Sequence, residues 1–134
     1  MVEPKIQEMI NAVNENPFGK MLNIELTKLN TGESSVEITV LPHHLNPHGT
    51  LHGGVMATMA DIAMGVAVRT LGKVGMTINL NTNFIATALL GERVIARGKV
   101  VHDGNSIASV ECTVSRGEDI LARSTGVWYL LKNK

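Results

Sequence analysis

The chain has 134 residues, with twelve Lys plus Arg against twelve Asp plus Glu, and one cysteine. That length suits one domain and is short for two independent cores, so residues 1–134 are expected to form a single domain. A formal net charge of +0 leaves no basic excess to hold a nucleic-acid backbone or an anionic membrane surface, and neither is an expected partner.

The opening stretch, MVEPKIQEMINAV, carries acids where an export signal would have a basic start and an unbroken apolar run, so a cytoplasmic location is expected. Within it Ile6, Met9, Ile10 and Val13 recur at helical spacing, and Asn14 to Gly19 ends the pattern with turn residues and a proline. The period then changes to two, from Met21 to Leu29 and again from Ser34 to Leu41, with Asn30-Thr31-Gly32 between them. This predicts a β-hairpin. Pro42 to Gly49 forms a loop into the most distinctive part of the chain, Asn46 to Thr70.

From Gly54 to Val68 every residue except Thr58 and Asp61 is small or apolar, and the apolar positions go all the way round, which predicts a buried helix that stops at Gly72 to Gly75. It is shorter than the roughly 20 residues needed to span a bilayer, and Asp61 lies at its middle. His52-Gly53-Gly54 opens the helix without large side chains over its first N–H groups, so that end can face a carbonyl oxygen and act as an oxyanion hole. No cation lies three or four residues from Asp61, and a buried carboxylate without a partner implies a task. The structural alternative is a hydrogen bond from Asp61 to Thr58 or to nearby backbone. Gly53 and Asp61 are separated by roughly 12 Å along one helix, too far for one small reacting group to touch both. If both serve one reaction, two antiparallel copies of the helix in a symmetric dimer bring Gly53 of one chain near Asp61 of the other.

Four strand-like runs follow, Met76 to Ala88, Glu92 to His102, Ser106 to Ser115 and Asp119 to Leu131, separated by turns at Gly91, Asp103-Gly104-Asn105 and Arg116-Gly117-Glu118. Cys112 sits in an alternating run and reads as small core filler. Two strands, one buried helix and four longer strands predict an α+β fold, an antiparallel sheet wrapped around a central helix. His44, His48 and His52 recur at a spacing of four, but Pro47 and Gly49 interrupt the continuous helix that a metal face would need there, so no metal site is assigned. GTLHGG has neither a Walker lysine nor GxGxxG spacing, which disfavours nucleotide chemistry.

The order of elements, together with Asn46, the run Gly49-Thr50-Leu51-His52-Gly53-Gly54, Asp61, and GMTINLNTNF from Gly75 to Phe84, resembles the hotdog-fold thioesterases, and within them the phenylacetate-pathway (PaaI-like) acyl-CoA thioesterases. The resemblance covers nearly the whole chain. It implies hydrolysis of an acyl- or aryl-acyl-CoA, with coenzyme A as part of the substrate and no further cofactor. It implies a homodimer with shared sites, and dimers that pair into a homotetramer. Asp61 takes the place of the base or nucleophile, Gly53 N–H that of the carbonyl polariser and Asn46 that of a group orienting water or substrate, while His52 and Thr77 fall on supporting positions. The coenzyme would be met by Gly75, Thr77 and Asn79 and by the segment His102, Asp103, Gly104, Asn105, Ser106 and Ile107. A non-catalytic acyl-CoA sensor of the same fold would lack the acid, and an enoyl-thioester hydratase would need a histidine on or near the central helix, where Gly53 to Val68 has none.

Overall fold

The computed structural model describes residues 4–131. The amphipathic spacing at the start forms α1 (Pro4–Glu15). A second short helix, α2 (Pro17–Met21), follows where only turn residues were expected, because Pro17 stands at a first-turn position where its fixed φ and missing N–H cost nothing. The hairpin is β1 (Glu25–Asn30) and β2 (Glu33–Thr39), turning at Gly32 with φ +77. A 3₁₀ turn at Pro42–His44 leads to the central helix α3 (Gly53–Arg69). Then come β3 (Gly75–Phe84), β4 (Arg93–Asp103), β5 (Ile107–Arg116) and β6 (Asp119–Leu130). β3 ends four residues before the alternation in sequence does, since Ile85 N–H and Ala86 N–H both donate to Leu121 C=O and the chain bends away.

All neighbours in the six-stranded sheet are antiparallel, in the order β1-β2-β4-β5-β6-β3. The inward residues, among them Val36, Ile38, Val94, Ala96, Val110, Val114 and Trp128, are buried against Met56, Met59, Ala60, Ala63, Met64 and Ala67 of α3. This is the hotdog arrangement, a sheet curled around one helix. The helix lies closest at Gly98, where an added Cβ would stand 2.7 Å from the Ala63 carbonyl group. Ser34, paired with Gly98 across β2 and β4, donates its hydroxyl to that same Ala63 C=O at 2.5 Å. Cys112 is buried in the core as expected, and burial pushes its thiol up to about 12.

Burial of α3 is not complete around its circumference. Ala57, Thr58, Asp61, Ile62 and Gly65 are only half-buried and Arg69 is exposed, a stripe that the chain's own sheet leaves open. β3 is open as well: it is an edge strand on which Met76, Ile78, Leu80 and Phe84 are exposed. The other edge, β1, is short and bulged between Leu26 and Lys28, and the Asn14 side chain accepts Leu26 N–H (2.6 Å) and donates to Leu26 C=O (3.3 Å). Among the described residues no helix is long and apolar enough to cross a membrane.

Since Gly98 has helix backbone against it rather than a movable side chain, Gly98→Ala should force α3 off the sheet and lower stability by about 1–3 kcal/mol, the usual cost of overpacking. Urea unfolding of the two chains measures it, and an unchanged midpoint would contradict this packing.

Candidate active site

Asp61 sits on the open stripe of α3. Gly72, with φ +80, reverses the chain after the helix so that β3 runs back alongside it, and Thr77 donates its hydroxyl to Asp61 Oδ1 at 3.0 Å. The alternative partner, Thr58, is engaged with Gly54 C=O at 2.8 Å. The carboxylate is thus aimed by one hydrogen bond from a neighbouring strand and left with free lone pairs on an accessible face.

At the head of the helix His52 is the N-cap, and its Nδ1 accepts Gly54 N–H at 3.1 Å. Of the opening N–H groups, Gly54 is therefore occupied, whereas Gly53 N–H makes no hydrogen bond among the described residues. The Phe84 ring covers Gly53 so closely that an added Cβ would meet it at 3.2 Å. That ring ends the GMTINLNTNF motif, but nothing in the sequence spacing ties it to the helix N-terminus.

The Asn46 amide organises its own loop, accepting the N–H groups of His48 (2.9 Å) and Thr50 (3.1 Å) and donating to Thr50 Oγ1 (2.9 Å). It shapes the approach to His52 and Gly53 and touches neither Asp61 nor Thr77 of the same chain. The four-residue spacing of the histidines does not gather them: His48 and His52 are exposed, and His44 is wholly buried. His44 holds Leu41 N–H on Nδ1 (2.9 Å) and Leu22 C=O on Nε2 (2.6 Å). Among the described residues no group of three or more His, Cys, Asp or Glu is placed to hold a metal.

The segments expected to meet coenzyme A lie at one end of the sheet. Ile107 pairs with Tyr129 and Met76 pairs with Tyr129 from the other side, so the turn before β5 and the start of β3 flank the end of β6. Gly104 is required there, since a Cβ would stand 2.7 Å from Ile107 C=O. Asp103 is paired with Lys73 Nζ at 2.5 Å, and Lys73 also donates to Gly104 C=O, tying this turn to the turn after α3. His102, Asn105, Ser106 and Ile107 are exposed beside it. A bulge between Thr77 and Asn79 pairs Thr77 with inward Trp128 and Asn79 with outward Val127. The two residues therefore fall on opposite faces and cannot contact one ligand group together. Of the cations on the late strands, Arg93 pairs with Glu37 and Arg116 with Glu92 and Asp119.

An apolar hollow of about 270 Å³ opens along α3, lined by Val13, Phe18, Ile24, Ile62, Gly65 and Val66 among others. It starts one residue along α3 from Asp61 and runs beneath α2. Sequence pattern alone did not reveal it, because its wall is the short helix that Pro17 starts.

Comparison with known proteins gives the arrangement a context. The family model of the thioesterase superfamily matches residues 48–122. Human acyl-coenzyme A thioesterase 13 is 31% identical over 114 residues, which cover 81% of this chain and 81% of that protein. A mutant of the phenylacetic acid degradation protein PaaI from Thermus thermophilus is 29% identical with a TM-score of 0.83, covering 87% of this chain and 100% of the other. A hypothetical thioesterase from Streptococcus pneumoniae, solved with coenzyme A, is 25% identical with a TM-score of 0.79, covering 84% and 91%.

The buried histidine gives the fold a pH dependence. Burial holds the His44 pKa below its ordinary value of about 6.5, helped by the adjacent His43 and opposed by the Leu22 carbonyl. Below about pH 6.5 the unfolded chain takes up a proton at His44 that the folded chain does not, so stability falls with falling pH until the folded-state pKa is reached. Above that window both states are neutral and the group contributes no slope. Thermal melts across the range should show the decline, and His44→Gln should lack this residue's share of it; identical slopes in the two chains would contradict the assignment.

Proposed function

This chain belongs to the thioesterase superfamily, its reaction class is thioester hydrolysis, and we propose that it acts on acyl-coenzyme A with Asp61 as general base. The observation that carries the proposal is the Asp61 carboxylate held by Thr77 on an open helix face, on the same helix as an unoccupied Gly53 N–H. The separation of roughly 12 Å between them supports a site completed by a second copy, with Gly53 of one chain serving Asp61 of the other. The open stripe of α3 and the unpaired, apolar β3 edge offer the surface for that pairing. A homodimer is the smallest active unit on this reading, and pairs of dimers would form the homotetramer.

In the proposed reaction Asp61 takes a proton from water, the hydroxide adds to the thioester carbonyl carbon, and Gly53 N–H of the second copy stabilises the oxyanion. Collapse breaks the C–S bond, and the thiolate leaves with the proton from Asp61. Thr77 orients the carboxylate and does not react. The hollow lined by Phe18, Ile62 and Gly65 suits the acyl or aryl group, and the turn of His102 to Ile107 with the start of β3 suits the coenzyme. No metal enters the scheme.

Asp61→Asn keeps shape and hydrogen bonding to Thr77 but removes the base, so kcat should fall roughly 10²- to 10⁴-fold while affinity for product CoA survives. Parent-level hydrolysis by this variant would end the catalytic assignment. The composite site has its own test. Asp61→Ala and Asn46→Ala chains disable opposite halves, the acid in one and the loop that seats the helix head in the other. Each should be inactive alone, and mixing them should restore activity in the hybrids, one of whose two sites is intact. Absence of recovery despite demonstrated subunit exchange would remove the shared site.

A further inference from the structure

The turn between β2 and α3 contains a wholly buried ring that the proposed reaction does not use. His44 is 0% exposed. Backbone N–H groups only donate and carbonyls only accept, so a ring that takes Leu41 N–H on Nδ1 and reaches Leu22 C=O from Nε2 must be neutral, with its proton on Nε2. The backbone of the same residue accepts His52 N–H at 2.9 Å. One residue thereby joins the exit of β2, the turn after α2 and the N-cap of α3. His52 C=O in turn accepts the N–H groups of Val55 (3.0 Å) and Met56 (3.4 Å). That carbonyl and Gly53 N–H belong to a single planar peptide unit, so whatever seats His52 also sets the direction of the Gly53 N–H.

We propose that His44 is a positioning residue for hydrolysis, its ring anchoring the loop through which His52 aims the Gly53 N–H. The inference rests on the reading of Gly53 as oxyanion donor. A misaimed donor loses its value where negative charge develops and little in the ground state, so the effect falls on kcat and not on KM. Filling space is not sufficient for this role: a leucine would occupy the volume and leave Leu41 N–H and Leu22 C=O without partners. Glutamine is the conservative replacement, because at the third position of a helical turn its side chain reaches back to the N-cap N–H, which here is that of Leu41.

The test measures acyl-CoA hydrolysis by the parent, His44→Leu, His44→Gln and Asp61→Asn, each well below its melting temperature. His44→Leu should lose roughly 10- to 100-fold in kcat with KM within about twofold, and His44→Gln should recover most of the loss. His44→Leu with the parent's kcat, in a preparation where Asp61→Asn is inactive, overturns the positioning role and leaves the acyl-CoA reading standing. If instead the parent hydrolyses no acyl-CoA, that reading falls, and the role of His44 is read from amide exchange at the hydrogen-bonded His52 and Gly54 N–H groups in nitrogen-15-labelled chains. Faster exchange in His44→Leu than in the parent supports the anchor, and equal exchange overturns it. Should His44→Leu not fold, nitrogen-15 histidine spectra of the parent decide: a proton on Nε2 of His44 supports the anchor and a proton on Nδ1 overturns it.

Discussion

The architecture depends on how near α3 can come to the sheet. Helices usually rest on sheets at a distance set by side chains on both sides, but here Gly98 removes one layer and the alanines of α3 thin the other. Ser34 then binds the Ala63 carbonyl directly, so a polar contact sits inside an otherwise apolar interface and fixes the helix in register as well as in distance. With the helix held there, its opposite stripe falls level with β3, and Thr77 can reach Asp61. A helix standing one methyl group higher would separate these two groups. The position of the acid is therefore a consequence of core packing three strands away from β3.

Much of this was legible in the sequence. The change from helical to alternating periodicity, the glycine-rich turns and the apolar run around Asp61 were enough to place every strand along the chain, because the strands' patterns agreed with their final conformation, while their order in the sheet was not read. The α+β class follows the same logic, whereas Thr77 was reached only through the family resemblance, since the local spacing offered Thr58 as the partner of Asp61. The exposure of α3 was less legible. Hydrophobicity reports that a face will be covered and not by which chain, so a stripe reserved for another surface looks the same as one meeting the chain's own sheet. α2 was hidden because Asn16, Pro17 and Gly19 are as common in loops as at helix starts.

The least legible parts of the site are those made by contacts distant in sequence. Phe84 covers Gly53 from the end of a strand 31 residues on, Lys73 reaches across to Asp103, and His44 ties to Leu22 through a backbone carbonyl that no pattern marks. Histidines spaced four apart invited a metal reading, yet that spacing has meaning only on a continuous helix, and Pro47 and Gly49 interrupt it. The bulge between Thr77 and Asn79 shows the same limit in a strand: one extra residue reverses which face a side chain occupies, and the alternation of letters does not reveal it.

The two borders of the sheet are unlike. β3 presents ten residues, bulged once near its start between Thr77 and Asn79 and carrying exposed apolar side chains, while β1 offers six, with the amide and carbonyl of Leu26 already taken by Asn14. A sheet with two equally receptive borders could add copies at both and grow without limit, as fibres do. A sheet with one receptive border pairs once, border to border about a two-fold axis, and then has nothing further to offer. Asn14 therefore acts as a stop to propagation at one border, and the receptive one is left to β3 alone.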